Sequence, residues 1–160
     1  MKKPILTTAI ALALFAGFVA EAAAQANPNF LVNTRRGAMQ LQGKYFFPVL
    51  AMANGSAPYD AAIAQRNAEF LGVLSQLPWD DFQARTVGAT APSKAKEDIY
   101  KDPAKFKAAA DALQAEVKKL ASAAKAGDQA AFGAAAKGIG GACNSCHEAF
   151  STYEFRFKVQ

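Results

Sequence analysis

The chain has 160 residues, of which 52% are hydrophobic and 19% are charged, and its formal net charge is +5. This length is sufficient for one domain and leaves little room for a second. The positive charges are scattered along the chain instead of forming blocks, which argues against a nucleic-acid-binding protein. Such a dispersed charge favours an acidic partner protein only weakly.

The N-terminal segment has the composition of a secretory signal peptide. Lys2 and Lys3 form a basic start, and residues 5–20 are almost all apolar. The small residues that follow predict cleavage between positions 24 and 25, or alternatively between 26 and 27. The apolar run is short for a transmembrane anchor, so no stable membrane insertion is expected once the signal is removed. We therefore predict a signal peptide at 1–24 and a periplasmic domain at 25–160.

The first half of the exported chain predicts two helices and a long connection. The first helix covers about residues 29–53. The second covers about residues 60–77 and is stopped by Pro78. Residues 79–100 then form a connection without predicted regular structure, and connections of this length are often functional.

The second half carries the clearest helix signals. Asp102 is a good N-cap, and Pro103 suits the first position of a helix. Apolar residues then recur every three or four positions as far as residue 126. Asp128 is another N-cap candidate, and the last helix continues to about Phe150. Four such helices without alternating β-branched runs predict an all-α fold, an antiparallel four-helix bundle.

Residues 143–147 read Cys-Asn-Ser-Cys-His, which is the C-x-x-C-H pattern of covalent haem attachment. The two thiols add across the two vinyl groups of the haem, and the adjacent histidine binds the iron. Positions three and four apart lie on one face of a helix, so Cys143, Cys146 and His147 face the same group. We therefore predict one covalently bound haem c near the C-terminal helix, with His147 as an axial ligand.

Three alternatives for this motif fit less well. A thioredoxin-like site sits at the start of a helix among alternating strands, whereas this motif lies deep within a helix. A zinc site needs more ligands, and His147 is the only histidine of the chain. A disulfide is the default in an oxidising compartment and would leave a haem-free thiol or disulfide protein. No separate nucleophile–base or acid–base constellation occurs, so we do not expect an enzyme.

The position of the motif after three helices resembles the class II c-type cytochromes of the cytochrome c′ family. The resemblance covers essentially the whole exported chain. Further matching segments are Arg35-Arg36-Gly37-Ala38-Met39, Pro58-Tyr59-Asp60-Ala61-Ala62, and Leu77-Pro78-Trp79 with Phe82 after it.

The resemblance implies roles for residues around the haem. Arg35 and Arg36 would lie near the haem propionates. Thr86 would touch the haem edge, and Phe82 would lie on the distal side. Met39 would face the iron from the side opposite the histidine.

What Met39 does at the iron separates two functions within this family. In one branch a methionine of the first helix ligates the iron, and the filled, low-spin site transfers electrons. In the other branch an apolar residue blocks that face, and the five-coordinate, high-spin iron binds nitric oxide or carbon monoxide. The stretch 39–44 resembles the first branch, which predicts an electron carrier serving redox partner proteins, with gas binding as the alternative. Family members often pair through their first two helices, which predicts a homodimer.

The chain departs from the family's pattern after the haem motif. Relatives often place a basic residue four positions after the histidine and close to it, where this chain has Ser151. The nearest arginine is Arg156, within an aromatic tail, residues 153–157. Two roles for the tail are open: it extends the last helix and shields the haem, or it helps a partner or a second subunit to dock.

Overall fold

The computed structural model describes residues 27–154 and 156–158. Its four long helices are α1 (Pro28–Ala53), α2 (Ala61–Leu74), α3 (Pro103–Ala126) and α4 (Gln129–Phe150). They pack in the order α1–α2, α2–α3, α3–α4 and α4–α1. The short connections after α1 and α3 make those neighbours antiparallel. The predicted all-α four-helix bundle is confirmed.

The predicted signal peptide at 1–24 and its two cleavage sites lie outside the described residues. Export to the periplasm therefore rests on the sequence pattern. Within the described part of the chain, no helix combines the length and the apolar character needed to span a bilayer.

Aspartate caps fix where three of the helices begin. The Oδ1 atoms of Asp60, Asp102 and Asp128 each accept a hydrogen bond, 2.9 Å long, from the backbone N–H three residues later. Each bond satisfies an N–H group that the first turn leaves unpaired, and such caps contribute about 1 kcal/mol. At its other end α3 stops at Gly127, whose φ of +69° glycine adopts without steric cost.

The second helix ends three residues earlier than the sequence predicts. The expected last residue is Leu77, whereas the last helical residue is Leu74. Leu77 precedes Pro78, and the proline ring disfavours a helical conformation in the residue before it. The chain turns instead, and the Trp79 indole N–H donates to the backbone oxygen of Ser75 at 2.7 Å.

The connection between α2 and α3 contains more regular structure than predicted. Trp79–Asp81 and Ala84–Thr86 form 3₁₀ turns, and Asp98–Lys101 forms a single turn of α-helix. Both 3₁₀ turns pack against α1. The connection therefore covers the side of the bundle where α1 begins.

The apolar core fills one end of the bundle. Nearly fully buried side chains there include Phe46, Val49, Leu120, Phe132 and Ile139. They come from the second halves of α1 and α3 and the first half of α4, which antiparallel packing brings together. Four segments consequently meet at the opposite end of the bundle: the first halves of α1 and α3, the end of α4, and the connection between α2 and α3.

Candidate functional site

A cavity of about 690 Å³ lies where these segments meet, and most of its wall is apolar. Cofactor pockets usually have volumes of roughly 300–1,000 Å³. Seven of the predicted site residues line it: Arg35, Arg36, Met39, Phe82, Cys143, Cys146 and His147. The eighth, Thr86, does not line the cavity, and its hydroxyl oxygen accepts a hydrogen bond from the Arg35 guanidinium.

Cys143 and Cys146 lie one helical turn apart on the side of α4 that borders the cavity. Both are free thiols. Burial, and to a smaller extent the neighbouring Cys146, raises the pKa of Cys143 to about 12. Burial also raises the pKa of Cys146. Both groups are therefore protonated at neutral pH, whereas a thiol oxidoreductase depends on a thiolate.

His147 lines the same cavity from the last turn of α4. Burial lowers the pKa of His147, and the positive charge of Arg156 lowers it further. The imidazole is therefore neutral at neutral pH, which is the form that binds metals. Its Nδ1 atom is buried and has no hydrogen-bond partner among the described residues. Because buried polar atoms are rarely left unpaired, the ring lacks a partner that a group outside the described residues would supply.

Arg35 is a buried cation at the cavity, with only 4% of its surface exposed. Its guanidinium also lies 4.6 Å from the centre of the Phe82 ring. In the described part of the chain no carboxylate forms an ion pair with it. The guanidinium donates only to uncharged oxygens: Thr86 Oγ1 (3.1 Å), Ser93 Oγ (3.1 Å), the Tyr100 hydroxyl (3.4 Å) and the backbone oxygen of Asp81 (3.4 Å). The Asp81 carboxyl interacts electrostatically with the guanidinium but does not bond to it. A buried charge held only by uncharged oxygens is costly, so a carboxylate entering the cavity would be bound well.

Sequence reasoning missed two members of this network, Ser93 and Tyr100. The Tyr100 and Thr86 hydroxyls are 2.7 Å apart, and both contact Arg35. The only signal in the sequence was the presence of polar and aromatic residues in a long connection. Their distance along the chain from Arg35 follows no helical or strand period, so spacing alone does not reveal the contact.

Aromatic rings hold the connection against the helices beside the cavity. The Phe82 ring lies 4.9 Å from Phe106 on α3, which in turn lies 5.3 Å from Phe150 on α4. Trp79 stacks on Phe82 with their ring centres 6.3 Å apart. This cluster gives the cavity a rigid, apolar side.

Met39 and Arg36 reach the cavity from the first half of α1. The Met39 side chain is half-buried, whereas Arg36 is exposed and lies at the rim. Met52, near the other end of α1, does not line the cavity, and its sulfur accepts a hydrogen bond from the Asp60 backbone N–H. Met39 is thus the methionine of the described chain that is available to an iron ion in the cavity.

The donor set fits a haem better than a bare metal ion. Two protonated thiols and a neutral imidazole share the wall with apolar side chains and one buried cation that forms no ion pair. A haem presents groups for each of these: vinyl groups for the thiols, iron for the imidazole, an apolar ring for the wall and propionates for the cation.

A family model described as Cytochrome C' matches residues 31–151, from the start of α1 to the end of α4. The chain belongs to the cytochrome c′ family. It is therefore a haem protein of the four-helix-bundle type, and the match includes the C-x-x-C-H motif and every predicted residue of the cavity wall.

Relatives from two bacteria show how far the similarity extends. The cytochrome c' of Rubrivivax gelatinosus is 41% identical over 123 residues, covering 77% of this chain and 95% of that protein. Its crystal structure superposes with a TM-score of 0.74 at 40% identity, covering 78% of this chain and 96% of the other. A nitric oxide complex of an engineered cytochrome c prime from Alcaligenes xylosoxidans superposes with a TM-score of 0.73 at 36% identity, covering 81% and 98%.

The Arg35 network yields a test of the site's construction. We expect Arg35→Gln to lower the free energy of unfolding of the haem-loaded protein by about 1–3 kcal/mol, because Thr86, Ser93 and Tyr100 lose their shared donor. Denaturant unfolding followed by the haem absorbance measures the change. Arg85→Gln, at an exposed arginine of the connection that does not line the cavity, is the matched control and should stay within about 0.5 kcal/mol, as is usual at the surface. Equal effects of both variants would contradict a structural role for the buried guanidinium.

Proposed function

We propose that this protein is an exported, periplasmic haem protein that binds small neutral gases, such as nitric oxide or carbon monoxide, at its iron. The observation that carries the proposal is the close structural similarity to a relative solved as its nitric oxide complex. The apolar cavity, about 690 Å³ in volume, supports it because neutral diatomic molecules pass through apolar surroundings without a desolvation cost. The protein would bind its ligand without transforming it, and we propose no enzymatic reaction.

One haem c would be held covalently in the cavity by this chain's own residues. The Cys143 and Cys146 thiols would form the two thioether bonds, and the His147 imidazole would bind the iron. Arg35 and Arg36 would lie close to the propionates, with Arg35 supplying the buried positive charge. When bound, the haem supplies an iron that binds a diatomic ligand and exchanges one electron.

Electron transfer to redox partner proteins is the second candidate function. It is favoured by Met39, whose half-buried side chain lines the cavity that His147 also borders. A thioether ligand would fill the sixth position of the iron and tends to raise its reduction potential. Removal of Lys2, Lys3 and Glu21 with the signal peptide would reduce the net charge from +5 to +4, which would favour an acidic partner only weakly.

The absorption spectrum of the oxidised protein separates the two functions. For a gas-binding site we expect a high-spin spectrum without a methionine–iron charge-transfer band. Met39→Ala should then leave the spin state unchanged and speed carbon monoxide binding to the reduced protein several-fold, because it removes a bulky side chain from the cavity. Met52→Ala, outside the cavity, is the control and should change neither property. A charge-transfer band that disappears in Met39→Ala would instead establish the electron carrier.

We further propose that two copies of the chain pair through α1 and α2. Large apolar side chains are exposed there: Leu41 on α1, Phe70 and Val73 on α2, and Leu77 just after it. The Phe70 ring lies 4.7 Å from Tyr45, one turn beyond Leu41 on α1, so these residues border one another. A second copy would cover them.

Sedimentation velocity tests this pairing. The protein should sediment as a dimer, and Phe70→Asp should convert it to a monomer because a charge at the interface is costly to bury. Val87→Asp, at an exposed apolar residue in the connection, should leave the dimer intact. A monomeric parent protein, or a dimer unaffected by Phe70→Asp, would contradict the assignment of this surface.

A further inference from the structure

The tail after α4 does not continue the helix. α4 ends at Phe150, and Ser151 is extended, with φ −139° and ψ 149°. The expectation that the tail extends the last helix is therefore wrong. The chain turns back and pairs with the connection: the Lys96 N–H donates to the Phe150 oxygen at 2.9 Å, and the Thr152 N–H donates to the Lys94 oxygen at 2.8 Å.

Further along, the tail is held by a side chain of the haem motif itself. The Asn144 amide donates to the backbone oxygen of Phe157 at 2.9 Å and accepts from the Phe157 N–H at 2.8 Å. Asn144 lies between the two cysteines and is partly buried. The Asn54 amide of the α1 C-cap holds the next residue through the Lys158 backbone oxygen at 3.1 Å. The tail is thus bound to the connection at its start and to α4 and α1 at its end.

Two rings of the tail form part of the cavity wall. The Phe157 ring packs edge-on against the buried Phe46 ring of α1 at 4.9 Å and lies 5.6 Å from the Phe47 ring. The Tyr153 ring packs edge-on against the His147 ring at 5.7 Å. Both Phe157 and Tyr153 line the cavity. The tail therefore forms part of the cavity wall beside α1 and α4 and lies against the histidine ring.

We propose that residues 151–154 and 156–158 belong to a strap, latched by Asn144, that controls how small molecules and electrons reach the haem pocket. The proposal rests on the proposed haem site, and it makes the strap the determinant of access on the histidine side. The aromatic lining of the strap favours small apolar molecules over hydrated ions. The positive charge of Arg156 adds to the field around His147.

The latch is weak enough to open reversibly. At Asn144 it comprises two hydrogen bonds between a side chain and the backbone and the packing of the Phe157 ring, and Asn54 adds a further bond at Lys158. Loss of both Asn144 bonds should raise the opened fraction by roughly tenfold, given the modest net contribution of each bond. Access through an opening of this kind depends on the latch and not on the unfolding of the bundle.

The test compares the haem-loaded protein with Asn144→Ala, Phe157→Ala and a chain ending after Thr152. Asn29→Ala is the matched control, because the Asn29 amide also donates one hydrogen bond, to Thr90, and accepts one, from the Ala91 N–H. None of these three residues lies in the strap or lines the cavity. Hydrogen–deuterium exchange of peptides covering 151–158 measures strap opening. The rate at which ascorbate reduces the oxidised haem measures access and does not require gas binding.

We expect hydrogen–deuterium exchange in the strap to be roughly tenfold faster in Asn144→Ala. Reduction of the haem by ascorbate should be faster in all three strap variants and unchanged in Asn29→Ala. Unchanged exchange in Asn144→Ala would overturn the latch. Faster exchange without faster reduction, including in the truncated chain, would overturn the control of access. Failure of the parent protein to bind carbon monoxide would count against the gas-binding function alone, because neither readout depends on it.

Discussion

The helical register of α4 places the chemistry of this protein in one cavity. Cys143, Cys146 and His147 occupy positions that share one face of the helix, so all three border the same space. Antiparallel packing brings that end of α4 beside the first half of α1, which carries Met39 and Arg35. A shift of α4 by one residue would turn all three side chains away from the cavity by roughly 100°.

The buried Arg35 explains why the connection between α2 and α3 is long and well ordered. Its guanidinium binds oxygens of four residues spread along the connection: Asp81, Thr86, Ser93 and Tyr100. The connection thereby becomes a side of the cavity, reinforced by the Phe82 and Phe106 rings. Among the described residues no carboxylate forms a direct ion pair with this charge, and the carboxylate of a haem propionate would supply one. One residue thus couples the folding of the connection to the binding of the cofactor.

Much of the bundle could be predicted from the sequence because its signals are local. Asp102 and Asp128 mark helix starts by bonds to residues only three positions away, and the C-x-x-C-H motif encodes its own geometry once it lies in a helix. The end of α2 was misplaced because the effect of Pro78 on Leu77 outweighed the continuing apolar stripe.

The rest of the site depends on contacts that no sequence period encodes. Tyr100 and Ser93 reach Arg35 across more than fifty residues of chain. Asn144 binds the backbone of Phe157, a contact that depends on the path of the tail and very little on which residue stands at position 157.

The most direct test of the central claim, that the haem is held covalently at Cys143 and Cys146, is a pyridine haemochrome spectrum of the purified protein after acidic acetone extraction. We predict that the haem stays with the chain and gives the spectrum of two thioether links. We also predict that a Cys143→Ser, Cys146→Ser double variant loses the haem. Haem that is extracted, or none at all, would contradict the account.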